Sequence, residues 1–372
     1  MSAPLKEILT RLAARWPLEW ALPGDRVGLQ VGHPDTVVDL ILVALEVGEA
    51  VIEEARSLKA QLLLTHHPLL YHPVEVLRGD EPLGRLLTEV VKGDLAVASW
   101  HTNLDVAPGG VNDYLAQRLE LTQVEVLEET GREYWCKLAV FVPGGYEDRV
   151  RRALADDRVG VIGDYSHCTF ATPGQGTYIP LAGARPFAGT PGVLSRVQEV
   201  RLEILVPATR LAAALERLKA AHPYEEPAYD IYPLQNPGLP LGLGRVGQWP
   251  EPRPFAGVVA QVKELFGQQT IRLWGPAPEM VQRAAVCGGS GGDLIGQARA
   301  RGAQVYITGE VRYHQAAPWA PAGPAVLEMG HFASEVVFVP EWARQLRQLF
   351  KEAGMALEVR VAREESPKVE YA

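Results

Sequence analysis

Short apolar runs alternate with amphipathic stretches through the first third of the chain, and this rhythm predicts a parallel sheet. Leu40–Leu45, Leu62–Thr65 and Leu95–Ser99 are continuous apolar runs of strand length, the pattern of strands buried on both faces. Helices are predicted over Leu5–Arg15, Glu49–Leu58 and Leu83–Val91, and from about Val111 to Leu119. A βαβα order of this kind implies parallel strands joined by helical crossovers. The last third resumes the pattern, with strands Val305–Thr308 and Ala325–Met329 and helices near Tyr313–Trp319 and over Glu341–Glu352.

The middle breaks the rhythm. It reads as a strand Lys137–Val142, a helix Tyr146–Ala155, a strand Glu199–Val206, a helix Leu211–Ala220 and a strand Tyr229–Tyr232, the order of a ferredoxin-like split βαβ unit. A proline- and glycine-rich hinge is expected from Pro233 to Pro254. The residues with ligand chemistry lie on both sides of this segment. The expected fold class is therefore an α/β metal-binding domain formed by the two chain ends, 1–130 and 241–372, interrupted by an α+β insertion at 131–240. Insertion is tolerated where the two cut ends of the host lie close together.

Three polar strings end apolar strands. His66 and His67 close the run Leu62–Thr65 and are stopped by Pro68. Adjacent strand side chains face opposite ways, so two neighbouring imidazoles share a pocket only where the strand has ended. His101-Thr102-Asn103-Leu104-Asp105 follows the next apolar run, and Gly330-His331-Phe332-Ala333-Ser334-Glu335 follows Ala325–Met329. In an open parallel sheet the carboxyl ends of the strands line the binding crevice, so these strings converge. On a helical turn His331 and Glu335, four residues apart, face the same way.

Each string also has a plainer reading. A lone His-His-Pro can cap a strand, His331 and Glu335 can be a helix-surface pair, and Asp105 can cap a turn. His101, Glu310 and His314 end elements on the same expected face, where they would orient ligands or move protons, or serve as structural hydrogen-bond partners. The stretch Gly288–Gly292 lacks the Lys-Ser/Thr of a Walker loop and fails GxGxxG spacing. It reads as a flexible turn near the crevice, and as the place for phosphates if the substrate is a nucleotide. His33 and His72 read as surface residues and His222 as part of a turn.

Composition narrows the class of protein. With 372 residues and 47% hydrophobic content, the chain can bury a large core and form more than one domain. No apolar run approaches the length of a membrane span, and the amino end enters a charged amphipathic segment directly, so a cytoplasmic protein with no membrane partner is expected. A formal charge of −9 argues against a nucleic-acid partner, which needs a basic face. Cys136, Cys168 and Cys287 show no CxxC spacing and read as ordinary buried thiols. The charged tail from Arg363 to Glu370 reads as a flexible end or weak contact arm.

Taken in order, Leu64-Thr65-His66-His67-Pro68, His101-Thr102-Asn103-Leu104-Asp105, Ile307-Thr308-Gly309-Glu310 with Tyr313-His314, and Gly330–Glu335 resemble the Nif-three-like family. Its members are often labelled GTP cyclohydrolase 1 type 2 homologs. Val27-Gly28-Leu29-Gln30-Val31-Gly32 looks like the family's opening motif. Gly163–Cys168 and His222-Pro223-Tyr224-Glu225-Glu226 look like the longer bacterial members, whose middle domain is similar to PII and CutA proteins. Arg26 stands where an asparagine is usual, and Glu46 where an aspartate is usual.

The resemblance implies two divalent ions per chain, with His67 and Asp105 on one, His66 and His331 on the other, and Glu335 bridging both. Imidazole and carboxylate donors without thiolate suit zinc, manganese, iron, cobalt or nickel, and donor type alone does not choose among them. Two cations held about 3.5–4 Å apart would lower the pKa of a shared water toward about 7. The expected function is a metal-dependent hydrolase acting on a small nucleotide-like substrate, with His101, His314 and Glu310 assisting. The alternative is a non-catalytic metal-binding or regulatory scaffold whose inserted domain senses a ligand or mediates assembly. The resemblance also implies a homo-oligomer, a hexamer built from trimerising insertions and pairing metal domains.

Overall fold

The computed structural model describes residues 2–156 and 158–363. Apart from Arg363, the tail Arg363–Glu370 lies outside the described residues. The chain divides into two compact units, one made of Met1–Gly131 with Pro240–Ala372 and the other of Arg132–Leu239.

The two-ended unit is built on two mixed sheets. The first has the order Glu358–Val361, Leu40–Ala44, Leu62–Thr65, Ala96–Ser99 and Gly28–Val31, parallel except for its last strand. Its central strands are buried along their whole length, as continuous apolar runs require. The second has the order Arg272–Trp274, Ala325–Glu328, Val305–Glu310, Met280–Ser290, Pro240–Pro254 and Thr122–Arg132. The pairings among Met280–Ser290, Val305–Glu310 and Ala325–Glu328 are parallel.

One apolar core joins the two sheets. Ile41, Val43, Leu62, Leu64 and Ala98 from the first share it with Ala284, Val286, Val305, Ile307 and Leu327 from the second, together with Trp100, Trp342 and the helices Leu5–Arg15 and Val339–Glu352. The outer face of the first sheet, through Leu42, Leu63 and Val97, packs on the helices Glu49–Leu58 and Pro82–Lys92. The outer face of the second, through Ala285, Tyr306 and Val326, packs on Ile295–Ala300. Two doubly covered sheets thus place the carboxyl ends of their parallel strands in one unit.

The expected hinge at Pro233–Pro254 is instead largely the strand Pro240–Pro254. A Cβ at Gly242 would lie 2.0 Å from the Glu128 carbonyl oxygen, so this glycine permits close approach of backbone rather than flexibility. The register shifts between Gln248 and Arg253, and this irregularity accommodates Pro250 and Pro252 in a strand that has neighbours on both sides.

The other unit is a four-stranded antiparallel sheet with the order Tyr229–Pro233, Trp135–Pro143, Ser195–Pro207, Thr169–Tyr178. Helices Glu147–Leu154 and Leu211–Ala221 cover one face, where Leu138, Val140, Val142, Leu202, Ile204 and Val206 are buried against Val150, Leu154, Ala214 and Leu218. The strand Thr169–Tyr178, with Pro173, Gly174 and Gly176, lies at the sheet edge, where proline costs no ladder bond.

Candidate metal centre

His66 and His67 continue the ladder just beyond Leu62–Thr65, their N–H groups donating to the carbonyls of Ala44 and Leu45. Their rings lie 5.3 Å apart, and the ring of His101, which follows the neighbouring strand Ala96–Ser99, is 5.2 Å from that of His66. From the second sheet, the short helix His331–Val336 follows Ala325–Glu328 and supplies His331 and the buried Glu335 one turn apart. Among the described residues, three sets of side chains hold their donor atoms within 4.8 Å of one another: His66, Asp105 and Glu335; His67, His331 and Glu335; and His66, His67 and His101. Glu335 joins the first two, which group His66 with Asp105 and His67 with His331 by proximity.

The hydrogen bonds fix which atoms face the centre. His66 Nδ1–H donates to the Trp100 carbonyl at 2.9 Å, which leaves an Nε2 lone pair directed inward. That Nε2 is buried with no hydrogen-bond partner, 3.5 Å from Asp105 Oδ1 and 3.8 Å from Glu335 Oε1. Acceptors facing acceptors without water are stabilised only by a proton or a cation between them. His67 Nε2 lies 2.9 Å from Glu335 Oε2, and its Nδ1 lies 3.4 Å from Glu46 Oε2. His331 repeats the arrangement, with Nε2 3.3 Å from Glu335 Oε2 and Nδ1 3.1 Å from Glu310 Oε2. An outer carboxylate that holds one imidazole nitrogen and aims the other inward is the usual support of a metal-ligating histidine.

Charge reinforces the geometry. Burial opposes ionisation of Glu335, yet hydrogen bonds from the surrounding imidazoles, His331 foremost, hold its carboxyl well below the ordinary range. Burial lowers the basicity of His67, but Glu335 and Glu46 outweigh it and push the imidazole up to about 10. His331, bonded to Glu335, rises to about 9. Burial raises Asp105. A dense set of carboxylates and imidazoles therefore holds protons where divalent cations would compete for the same lone pairs.

Gly288 and Gly289 of the glycine stretch pack against Glu335. Gly288 N–H donates to Asn112 Oδ1 and Gly289 N–H to Ser334 Oγ, so neither amide is free. Gly289 has φ +62°, and a Cβ there would lie 2.2 Å from Glu335 Oε1. Gly288 and Gly289 belong to the strand Met280–Ser290, so the turn in this segment is confined to Gly291 and the start of the 3-10 turn Gly292–Leu294. Asn112 also donates to the Asp105 carbonyl, tying the two halves of the site together.

Two residues escaped the sequence reading. Asp25 Oδ1 accepts from His101 Nδ1 at 2.8 Å, and its other oxygen accepts from the Thr102 amide and hydroxyl. Burial opposes its ionisation, but His101 and Thr102 hold its carboxyl far below the usual range. Its one signal was a Pro-Gly-Asp turn beside the opening motif. Glu46, noted only as a departure from the family pattern, is the outer partner of His67. His314 is exposed on the short helix Tyr313–Ala316 and belongs to none of the three sets, so the structure does not bring it to the centre. Cys168 is only half-buried, unlike Cys136 and Cys287, and His222 caps a helix with a buried ring.

A two-sheet α/β fold with histidines and carboxylates gathered at its strand ends defines a candidate metal-binding protein. The family model Duf34/NIF3 (NGG1p interacting factor 3) matches residues 3–367, and the chain belongs to that family. It is 41% identical over 321 residues to the GTP cyclohydrolase 1 type 2 homolog of Bacillus subtilis strain 168, covering 86% of each chain. The homolog of the same name from Mycobacterium leprae strain TN is 38% identical over 365 residues, 97% of this chain and 94% of the relative. The crystal structure of a Bacillus cereus protein related to NIF3 superposes with a TM-score of 0.85 at 36% identity, covering 100% of this chain and 99% of that one.

Proposed function

We propose that the unit formed by the two chain ends binds two divalent ions and hydrolyses a small nucleotide-like substrate. The observation that carries this reading is His66 Nε2, a buried lone pair set against two carboxylates with no partner of its own. His66 with Asp105 would hold one ion and His67 with His331 the other, Glu335 reaching both. Zinc, manganese, iron, cobalt and nickel all suit this donor set. Divalent ions in such a set supply Lewis acidity and make water more acidic near neutral pH.

The chain's own residues do the rest. Glu46 and Glu310 orient His67 and His331, and Asp25 holds His101 in one tautomer so that its Nε2 can take or give a proton beside His66 and His67. The relatives' name, GTP cyclohydrolase 1 type 2 homolog, motivates a purine nucleotide as the first substrate to try. No helix among the described residues is long and apolar enough to cross a membrane, which agrees with a cytoplasmic role on a small soluble substrate. The unit 132–239 is assigned in this reading as a PII/CutA-like insertion.

Metal analysis of purified protein tests the ligand set. Glu335→Ala is expected to lose both ions, because one side chain serves both sets, whereas Asp105→Ala weakens mainly one. Two ions per chain retained in Glu335→Ala would remove the bridging role. Turnover of GTP or simple phosphoesters by the metal-loaded protein then separates a hydrolase from a scaffold, which would bind metal and hydrolyse nothing.

A further inference from the structure

The unit 132–239 contains a cavity of about 410 Å³, within the size range of small-molecule sites. Its wall is aromatic. The ring of Tyr224 lies 5.6 Å from Phe187 and 6.3 Å from Tyr178, tilted by 43° and 66°. These rings do not form a closed core, since Phe187 keeps 48% of its surface exposed and Tyr178 and Tyr224 are half-buried.

The charged groups that line this cavity are all carboxylates: Glu199, Glu225 and Glu226. Glu199 is seated by two features. Tyr224 Oη donates to Glu199 Oε1 at 2.9 Å, and the other oxygen lies over Gly176, where a Cβ would come within 2.1 Å. Burial and Glu199 both push the Tyr224 phenol up, so it remains a donor at neutral pH. Glu225 Oε1 accepts the Arg185 backbone N–H at 2.8 Å and so ties the loop that carries Phe187 to the segment that carries Tyr224.

An anion entering this cavity would meet like charge. A cation would meet carboxylate oxygens for its N–H groups and ring faces for its charge and stem, the combination that aromatic cages use. We propose that the aromatic and acidic cavity at Tyr178, Phe187, Glu199 and Tyr224 binds a small organic cation, an ammonium or guanidinium group on an apolar stem.

Calorimetric titration of the full chain with tyramine, beside its neutral analogue tyrosol and its anionic analogue 4-hydroxyphenylacetate, tests this. Saturable tyramine binding, at least about tenfold tighter than either analogue, is expected, as is a loss of about tenfold in Glu199→Gln. Phe187→Ala, at a loop position 48% exposed, should weaken tyramine comparably while the circular dichroism stays that of the parent. Glu335→Ala should bind tyramine as the parent does, because that substitution strips the metal centre and leaves this cavity intact. Equal binding of tyrosol, no tyramine binding, unchanged affinity in Glu199→Gln and Phe187→Ala, or loss of binding in Glu335→Ala would each overturn the proposal.

Discussion

Glu335 is the residue on which the centre turns, because it faces His66, His67 and His331 at once. With Glu46 on His67 and Glu310 on His331, its carboxylate raises these imidazoles to about 10 and about 9, above an ordinary value near 6.5. Both groups are expected to hold a proton near pH 7 in the metal-free chain, and binding of divalent ions at the proposed centre would then release those protons. Calorimetry in buffers of different ionisation enthalpy should show proton release on metal loading at pH 7, shrinking as pH rises toward 9–10. The sign for stability follows from the same raised values. Stabilisation of the metal-free chain by these imidazoliums is complete below about 6.5 and is lost as pH rises through about 9 to 10. Metal uptake without proton release at pH 7 would mean that these imidazoles are not the ligands. Of these residues, His66, His67, Asp105, His331 and Glu335 were legible because each follows an apolar strand, where a buried polar string is conspicuous. Asp25 was not, since a turn carboxylate looks the same whether it caps a loop or holds a histidine.

Among the elements, the short buried strands such as Leu40–Ala44 and Leu62–Thr65 were readable, and so were the antiparallel strands Trp135–Pro143 and Ser195–Pro207, whereas Thr122–Arg132, Pro240–Pro254 and Met280–Ser290 were not. Leu62–Thr65 is buried on both faces, and its apolar run carries that fact. Thr122–Arg132 is an edge strand with mostly exposed positions, and Pro240–Pro254 mixes glycine and proline for reasons of backbone contact that no periodicity reveals. Met280–Ser290 ends in glycines for a similar reason, and this makes a sharp test. Gly289→Ala introduces a side chain at φ +62°, 2.2 Å from Glu335 Oε1. Strain at that backbone costs about 1–2 kcal/mol, which a core of this size should survive. Displacement of Glu335 should not be survived by the centre: circular dichroism is expected to remain native while bound metal falls well below that of the parent. A fully loaded Gly289→Ala protein would show that the glycine serves the strand and not the site.

At the scale of the molecule, the chain's exit and re-entry points in the two-ended unit and the open face of the other unit bear on a proposed assembly. The strands Thr122–Arg132 and Pro240–Pro254 are neighbours in one sheet, with Thr122 Oγ1 bonded to the Gln248 carbonyl, so the chain leaves and re-enters the two-ended unit side by side. Closure by a short linker therefore asks little of the host. In the unit 132–239, helices cover one face of the sheet, while the opposite face presents Phe170, 66% exposed, and Tyr232, 44% exposed, beside Arg201 and Glu203. We propose that this face contacts further copies of the chain, forming trimers, and that the two-ended unit pairs, as the family resemblance leads one to expect. A closed assembly with both contacts is a hexamer. Light scattering of the full chain should give six times the chain mass, and a variant with residues 132–239 replaced by a short linker should fall to a metal-loaded dimer. A stable monomer at micromolar concentration would refute the assembly. A trimer that persisted in the deletion variant would place the trimer contact in the wrong unit, and a folded deletion variant without metal would mean that residues 132–239 contribute to the centre.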